Sequence, residues 1–453
     1  MDKIRLKEQV EIIRQAFSYI NRFQNETFII KIDSTLITHE LFPVLIKDLV
    51  LLHRMGIKII LVPGARSRIN EVLSKFNINC PTVNGIRVSS PEAIPFIKMA
   101  AFDVSNKLMT MLAENGANAI IGNWVKAKGI GVRDGIDFQN SGMVEKLQTD
   151  ILRKVLQDDL IPIFPNIGWS AKGKPYNLSS NHLAFSLSVN MNAAKLFYVN
   201  KEGGIKAESL KIPDDVYISE DKIISQLTIA QSRKLLDINI DKEYEEHTEL
   251  ISLGYRACRQ GVKRVHIING KIEGMLLQEI FSNRGMGTMI YANQHENIRK
   301  MVPTDIPEVL SIMQPEFQEN SLVERSASDL EKKIDDYAVY EVDGTIHGCA
   351  ALHIFPNRQG EIAAVAVDKQ YASMGIGKKM ISYFLEQATK MNLKSVFVLT
   401  TQTADFFALL GFKSADVNSL PAEKQRSYSN ERNSLVMVYE IPNQPRRSDF
   451  KVD

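Results

Sequence analysis

Residues 361–378 hold the pattern most able to do chemistry. A run of strand-forming residues, Glu361-Ile-Ala-Ala-Val-Ala-Val367, leads through a short loop to Met374-Gly375-Ile376-Gly377-Lys378, where a helical pattern begins. Glycines there let the backbone come close to a ligand. The free N–H groups of a helix start, at the positive end of its dipole, make an anion site. A pyrophosphate suits such a site. The loop is not a Walker motif, because no Gly-Lys-Ser/Thr stands at the required spacing, and it is not a clear Gly-x-Gly-x-x-Gly either. Metal and thiol chemistry find less support. Cys80, Cys258 and Cys349 are far apart and odd in number, so they make neither a disulfide framework nor a Cys-x-x-Cys metal site, and no metal is expected. Cys349 has no identifiable partner histidine and reads as a small buried hydrophobe.

The elements that position this loop fall into two groups. Residues 299–442 read as a smaller α+β domain. Ala338–Val342 and Thr345–Leu352 flank Asp343-Gly344 as a hairpin, Glu361–Val367 is a strand, 375–391 a long helix and Ser395–Thr400 a further strand. Residues 25–290 show strand–helix–strand order with continuous apolar strands such as Lys58-Ile-Ile-Leu-Val-Pro63, the mark of buried parallel strands with crossover helices. Helices are expected over 39–55, 66–76, 145–157 and 180–191. Residues 1–24 have helical periodicity, 291–298 form a polar connector, and 443–453 a polar tail. At 453 residues, with 44% hydrophobic and 24% charged residues and a net charge of +2, the chain suits two or three globular domains. Interleaved charges give no nucleic-acid footprint. No apolar run spans a membrane and the N-terminus does not read as a signal peptide, so a cytoplasmic protein is expected.

The 361–378 segment resembles the acetyl-CoA pyrophosphate loop of the GNAT acetyltransferase superfamily, with the hairpin before it and Phe406-Phe-Ala-Leu-Leu-Gly-Phe412 after it. Ala372 departs from that pattern, where a Gln or Arg is usual. Within the superfamily, the Ser395–Phe412 run, Leu420-Pro421, Tyr428, Arg432-Asn433-Ser434 and Leu322-Val-Glu-Arg325-Ser326 resemble the transferase domain of bacterial N-acetylglutamate synthases. The resemblance implies acetyl-CoA as co-substrate, bound by Val365, Val367, Met374, Gly375, Ile376, Gly377 and Lys378. It implies L-glutamate as acceptor, in the first step of arginine biosynthesis. Arg432 and Lys424 would hold the two carboxylates, with Arg325 a third candidate and Leu322, Asn433 and Ser434 beside them. Glu361 would take the amine proton, directly or through water. Transfer would then be direct, with backbone N–H groups near Val365 polarising the carbonyl. Phe407 stands where the superfamily often has a tyrosine general acid, leaving Tyr428 or a water for that role.

Residues 25–290 resemble the amino-acid kinase family through Asn84-Gly-Ile-Arg-Val-Ser89, Gly173-Lys-Pro-Tyr-Asn-Leu178 and Ala193-Ala-Lys-Leu196. The phosphate-cradling glycines are missing: Lys31 is followed by Ile32-Asp33-Ser34, the second strand ends in Pro63-Gly64-Ala65-Arg66, and Ser180-Asn181 stands where an Asp is needed. Phosphoryl transfer depends on such positioning, so no kinase activity is expected. The 266–288 segment is similar to the arginine-sensing part of that family. This implies L-arginine as effector near His266, Glu279, Gly285 and Gly287, with Tyr19 on an N-terminal helix that builds homo-oligomers, hexameric rings among them. Two alternatives stay open: an acetyltransferase for another acidic amino acid such as aspartate, and a non-catalytic arginine-sensing protein, which Ala372 and Phe407 favour.

Overall fold

The computed structural model describes residues 23–216, 218–219, 221–242, 245–281, 287–292, 296–318, 322–342, 345–368, 375–428, 432 and 434–442. The expected N-terminal helix with Tyr19, the tail after 442, and Gly285, Met374 and Asn433 lie outside them. The chain divides into two units, up to Asn293 and from Gln294.

In the first unit an eight-stranded sheet runs in the order Gln226–Thr228, Thr288–Tyr291, Arg264–Asn269, Lys195–Asn200, Thr27–Ile32, Lys58–Pro63, Ile161–Ile163, Ala119–Ile121. Neighbours are parallel except Arg264–Asn269 against Thr288–Tyr291. The continuous apolar runs follow from burial of both faces. Phe28, Ile30 and Ile32 face a core with helices Phe42–Arg54, Arg66–Lys75 and Ile94–Glu114. Ile29 points the other way, into a core with helices Thr149–Gln157, Ser180–Asn190 and Glu246–Arg259. A smaller four-stranded sheet, Pro175–Asn177, Ile167–Trp169, Val125–Gly129 and Gly142–Leu147, accompanies it. Residues 145–147, read from sequence as helical, are strand here, and the helix starts at Thr149. Lys146 pairs with Lys126 across the Val125–Gly129 strand, a partner outside any local window. The 21-residue helix Ile94–Glu114 was not read from the sequence.

The second unit is a seven-stranded sheet in the order Glu296–Lys300, Tyr337–Val342, Thr345–Ile354, Gln359–Val367, Ser395–Thr400, Leu435–Glu440, Lys413–Ala415. Its first strand begins inside the stretch read as connector. All neighbours are antiparallel except Gln359–Val367 with Ser395–Thr400, which a crossover through helix Ile376–Lys390 makes parallel. Two cores cover the two faces, one built on Ile376, Met380 and Phe384, the other on Val309, Met313 and Tyr337.

Gly287 packs its backbone so tightly that a Cβ would lie 2.2 Å from the Ile267 carbonyl oxygen, a backbone atom fixed within the sheet. Gly287→Ala is therefore expected to destabilise the first unit by about 2 kcal/mol, as overpacking does, read as a lowered urea midpoint. A midpoint unchanged from wild type would show that this contact is not tight.

Candidate active site

The parallel pairing of Gln359–Val367 with Ser395–Thr400 lasts only three residues, Gln359 to Glu361 against Ser395 to Phe397. Beyond Glu361 the strands part. Val398 to Thr400 pair on their other side with Leu435–Met437, and Ile362–Val367 continue along Thr345–Ile354. In that second pairing Ala364 and Val365 together oppose Ala350, a β-bulge, with Ala364 held at φ 56°. Alanine in the left-handed region costs about 1 kcal/mol or more, strain of a kind that gathers at functional sites. The result is a parting of the strands, bordered by an edge that has no neighbouring strand among the described residues and that carries Val365 and Val367.

Helix Ile376–Lys390 begins beside this parting. Its cap is Gly375, in the left-handed conformation with φ 71°, and no side chain among the described residues caps it. The first turn holds no acidic residue. A Cβ at Gly377 would lie 3.4 Å from Phe406 and 3.9 Å from Val367, so helix start and strand end adjoin. Lys378 is exposed. Uncapped N–H groups, the helix dipole and a nearby lysine fit the diphosphate of a CoA molecule.

Glu361 is 5% exposed, and its Oε1 lies 2.7 Å from Lys424 Nζ. The sequence reading sent Lys424 to a substrate carboxylate; in this structure its ammonium is engaged by Glu361. Register partners share a face of the sheet, which puts His353 and Phe397 on either side of Glu361, with Ala351, Cys349 and Tyr337 further along. Arg325 reaches this face. Burial raises the Tyr337 phenol and the Arg325 charge opposes it; Arg432 is lowered by burial and by Arg325. Two guanidinium groups thus share one neighbourhood, an arrangement an anion between them would relieve. Leu322 packs against the Met301–Ala366 core beneath.

Tyr428 donates its hydroxyl to the Ser434 carbonyl at 2.5 Å, so its proton is directed to the backbone. Phe407 is core, edge-on to Phe406 and Phe412. Burial pushes the Cys349 thiol up to about 12, which keeps it neutral. The sequence reading gave no role to His353 or Tyr337. Alternation along Cys349-Ala-Ala-Leu-His353 places His353 on the face of Cys349 and Ala351, Tyr337 joins it as the register partner of Ala351, and the turn closed by Phe355 and Gln359 sets Glu361 opposite His353.

In the first unit His266 and Glu279 meet, Nδ1 to Oε1 at 2.7 Å, with both side chains 2% exposed. Lys195 Nζ lies 3.4 Å from His266 Nε2, and the imidazole stacks on Phe197 at 4.8 Å. Burial first, then Lys195 and Arg264, hold His266 down to about 4 against the pull of Glu279. A neutral ring fits the line, accepting from Lys195 and donating to Glu279. Lys195 is a functional candidate that the motifs alone do not single out, although a lysine inside the run Lys195-Leu-Phe-Tyr-Val-Asn200 is itself a signal. At the former phosphate position Lys31 is spent on Asp33 at 3.4 Å, and a Cβ at Gly64 would meet the Ser34 nitrogen at 3.0 Å.

The amino acid kinase family profile matches residues 26–269, and the acetyltransferase (GNAT) family profile residues 306–412. An amino-acid acetyltransferase of Pasteurella multocida is 32% identical over 446 residues, spanning 97% of this chain and 99% of its own. One from Yersinia pseudotuberculosis is 32% identical over 451 residues, 97% of this chain and 100% of its own.

The chain belongs to the amino-acid acetyltransferase family.

The crystal structure of N-acetylglutamate synthase from Neisseria gonorrhoeae with coenzyme A and L-arginine matches at a TM-score of 0.74 and 29% identity, over 96% of this chain and 99% of that one. The same synthase with coenzyme A and N-acetyl-glutamate matches at 0.58 and 30% identity, with the same coverage. As an amino-acid acetyltransferase the chain is an acyltransferase with acetyl-CoA as co-substrate. No helix among the described residues is long and apolar enough to cross a membrane, and no group of three or more His, Cys, Asp or Glu among them suits a metal ion.

Two outcomes follow from the buried pairs. Because Glu361 and Lys424 share an ion pair with Glu361 nearly sealed, Glu361→Gln and Lys424→Met should be non-additive in urea unfolding, with a coupling on the order of 1 kcal/mol; additive effects would show the pair contributes nothing. For His266 the folded value lies below the unfolded one, so the unfolded chain takes the proton first as pH falls. Stability of the first unit is then unaffected above pH ~6.5 and declines toward pH ~4, by on the order of 2 kcal/mol between pH 7 and 5. His266→Gln should flatten that decline, and an equal slope in the variant would refute the assignment.

Proposed function

We propose that the chain transfers the acetyl group of acetyl-CoA to the α-amine of L-glutamate, giving N-acetyl-L-glutamate and CoA, under regulation by L-arginine in the kinase-like unit. The observation that carries the acceptor is the nearness of Arg432 to Arg325, which meets Tyr337 on the face that holds Glu361. An acidic amino acid brings two carboxylates and one ammonium, and the site offers guanidinium groups and a carboxylate in return. Arg325 and Arg432 hold the carboxylates, with Leu322, Asn433 and Ser434 shaping the pocket. Lys424 pairs with Glu361 and serves the carboxylates only if that pair opens.

Glu361 takes a proton from the ammonium, directly or through a water. The free amine attacks the thioester carbonyl, whose oxygen is polarised by backbone N–H at the bulge near Val365. The C–N bond forms, the C–S bond breaks, and the second proton of the nitrogen passes to the thiolate by way of Tyr428 or a water; Tyr428 can act only after leaving the Ser434 carbonyl. No covalent enzyme intermediate is needed, and the neutral Cys349 thiol would be a poor nucleophile. Arginine acts through His266, Glu279 and the backbone near Gly285 and Gly287. Its guanidinium competes with His266 for Glu279, so the Lys195–His266–Glu279 line is the part it would rearrange. The N-terminal helix with Tyr19 would join copies of the chain into an oligomer.

CoA release should require L-glutamate, exceed that with L-aspartate, and change when L-arginine is added. Aspartate preference would move the acceptor, and no release with any amino acid would leave a non-catalytic sensor. Arg325→Gln should raise KM for glutamate on the order of 10²-fold, through loss of a charge-assisted pair, with little change in KM for acetyl-CoA. Equal effects on both substrates would place Arg325 elsewhere.

A further inference from the structure

Acetyl transfer from a thioester to an ammonium releases a net proton. The acceptor nitrogen loses two protons on becoming an amide; one ends on the CoA thiol and the other must reach solvent. In the reading above Glu361 collects that second proton, and this inference rests on that reading. Its side chain is 7% exposed. The neighbours decide where the proton can go. Lys424 sits 2.7 Å from Oε1, but an ammonium has no lone pair to accept with. Phe397, the register partner on one side, is apolar. On the other side the register partner is His353, directly opposite Glu361 on the antiparallel strand. Side chains so placed stand on one face with Cβ atoms roughly 5 Å apart, within reach of one bridging water.

His353 also leads outward. Its Nδ1 lies 2.7 Å from Asp336 Oδ2, and the two side chains are 16% and 38% exposed, against 7% for Glu361. Exposure thus rises along Glu361, His353 and Asp336. With Nδ1–H donated to Asp336, Nε2 keeps the lone pair that an incoming proton needs. Tyr337 holds the ring edge-on at 6.2 Å. The charged and titratable groups around the imidazole are Asp336 and Tyr337 from the turn and strand on one side, Glu361 with its Lys424 on the other, and Arg325 against Tyr337.

We infer that His353, oriented by Asp336, is the exit for the proton that Glu361 takes from the acceptor amine. The proton leaves the Glu361 carboxyl for Nε2, and Nδ1–H passes to Asp336 or solvent. His353 touches no reacting atom and acts through Glu361.

The test is steady-state CoA release by the full-length enzyme across pH for wild type, His353→Gln, Asp336→Asn and Glu361→Gln, at increasing concentrations of imidazole buffer, with thermal melts of each. The relay predicts that His353→Gln lowers kcat on the order of 10²-fold, the scale of a lost proton acceptor, with KM for both substrates nearly unchanged. Imidazole should restore kcat in a concentration-dependent way, and Asp336→Asn should reshape the kcat–pH profile in the same sense. A wild-type kcat and pH profile in both variants, or a loss that imidazole does not restore in protein with a wild-type melt, overturns the relay. Should His353→Gln melt early, Asp336→Asn decides alone by the same readouts. An inactive Glu361→Gln beside unaffected His353→Gln and Asp336→Asn overturns the relay only, whereas an active Glu361→Gln overturns the base assignment beneath it.

Discussion

The transferase unit depends on one interruption of hydrogen bonding. Gln359–Val367 and Ser395–Thr400 pair through Glu361 and then part, while the bulge at Ala364 turns the first strand toward its other neighbour. Had the pairing run on, the edge of Ile362–Val367 would be satisfied within the sheet, with no opening beside the uncapped start of Ile376–Lys390. A strand edge costs little where solvent or a ligand can satisfy it, and much where it is buried unpaired. The left-handed Ala364 is the strained residue that accompanies this arrangement.

Burial then assigns the polar groups. Glu361, Lys424, Lys195, His266 and Glu279 all carry groups that are costly to bury, and each meets an opposite or complementary partner. The first unit has the sheet of the amino acid kinase family, and where a kinase needs phosphate-cradling glycines it holds Ile32, Asp33 and Ser34, with Lys31 paired to Asp33. The polar line through Lys195, His266 and Glu279 sits on the neighbouring strands of the same sheet. A scaffold can lose one chemistry and keep its core, because the core is held by Phe28 through Ile32 and their helices and not by the phosphate loops.

Much of the fold was legible. Continuous apolar runs gave the parallel strands of the first unit, and the Asp343-Gly344 turn with its flanking alternation gave the hairpin of the second. The glycines at 375 and 377 marked the start of helix Ile376–Lys390. Residues 145–147 were misread as helix because Val144 to Leu156 has helical periodicity, whereas Lys146 is held in a strand by Lys126. Lys424 was assigned to substrate because a lysine near an arginine suggests a carboxylate clamp, and no local signal announced its pairing with Glu361.

The sequence by itself determined many of the strands and helices of both units, and the absence of the glycines a kinase needs for phosphate. These are matters of local propensity and spacing, which a short window of residues contains. Only the tertiary structure decided which groups meet: Glu361 with Lys424, His353 across from Glu361, Arg325 near Arg432, and His266 between Lys195 and Glu279. Lys424 and Glu361, Arg325 and Arg432, and Lys195 and His266 lie tens of positions apart in the chain, whereas Glu279 reaches His266 from the following helix and His353 meets Glu361 across a hairpin whose turn sets the register. A single extra residue at a bulge sends every later side chain to the other partner, and no pattern along the chain records that choice.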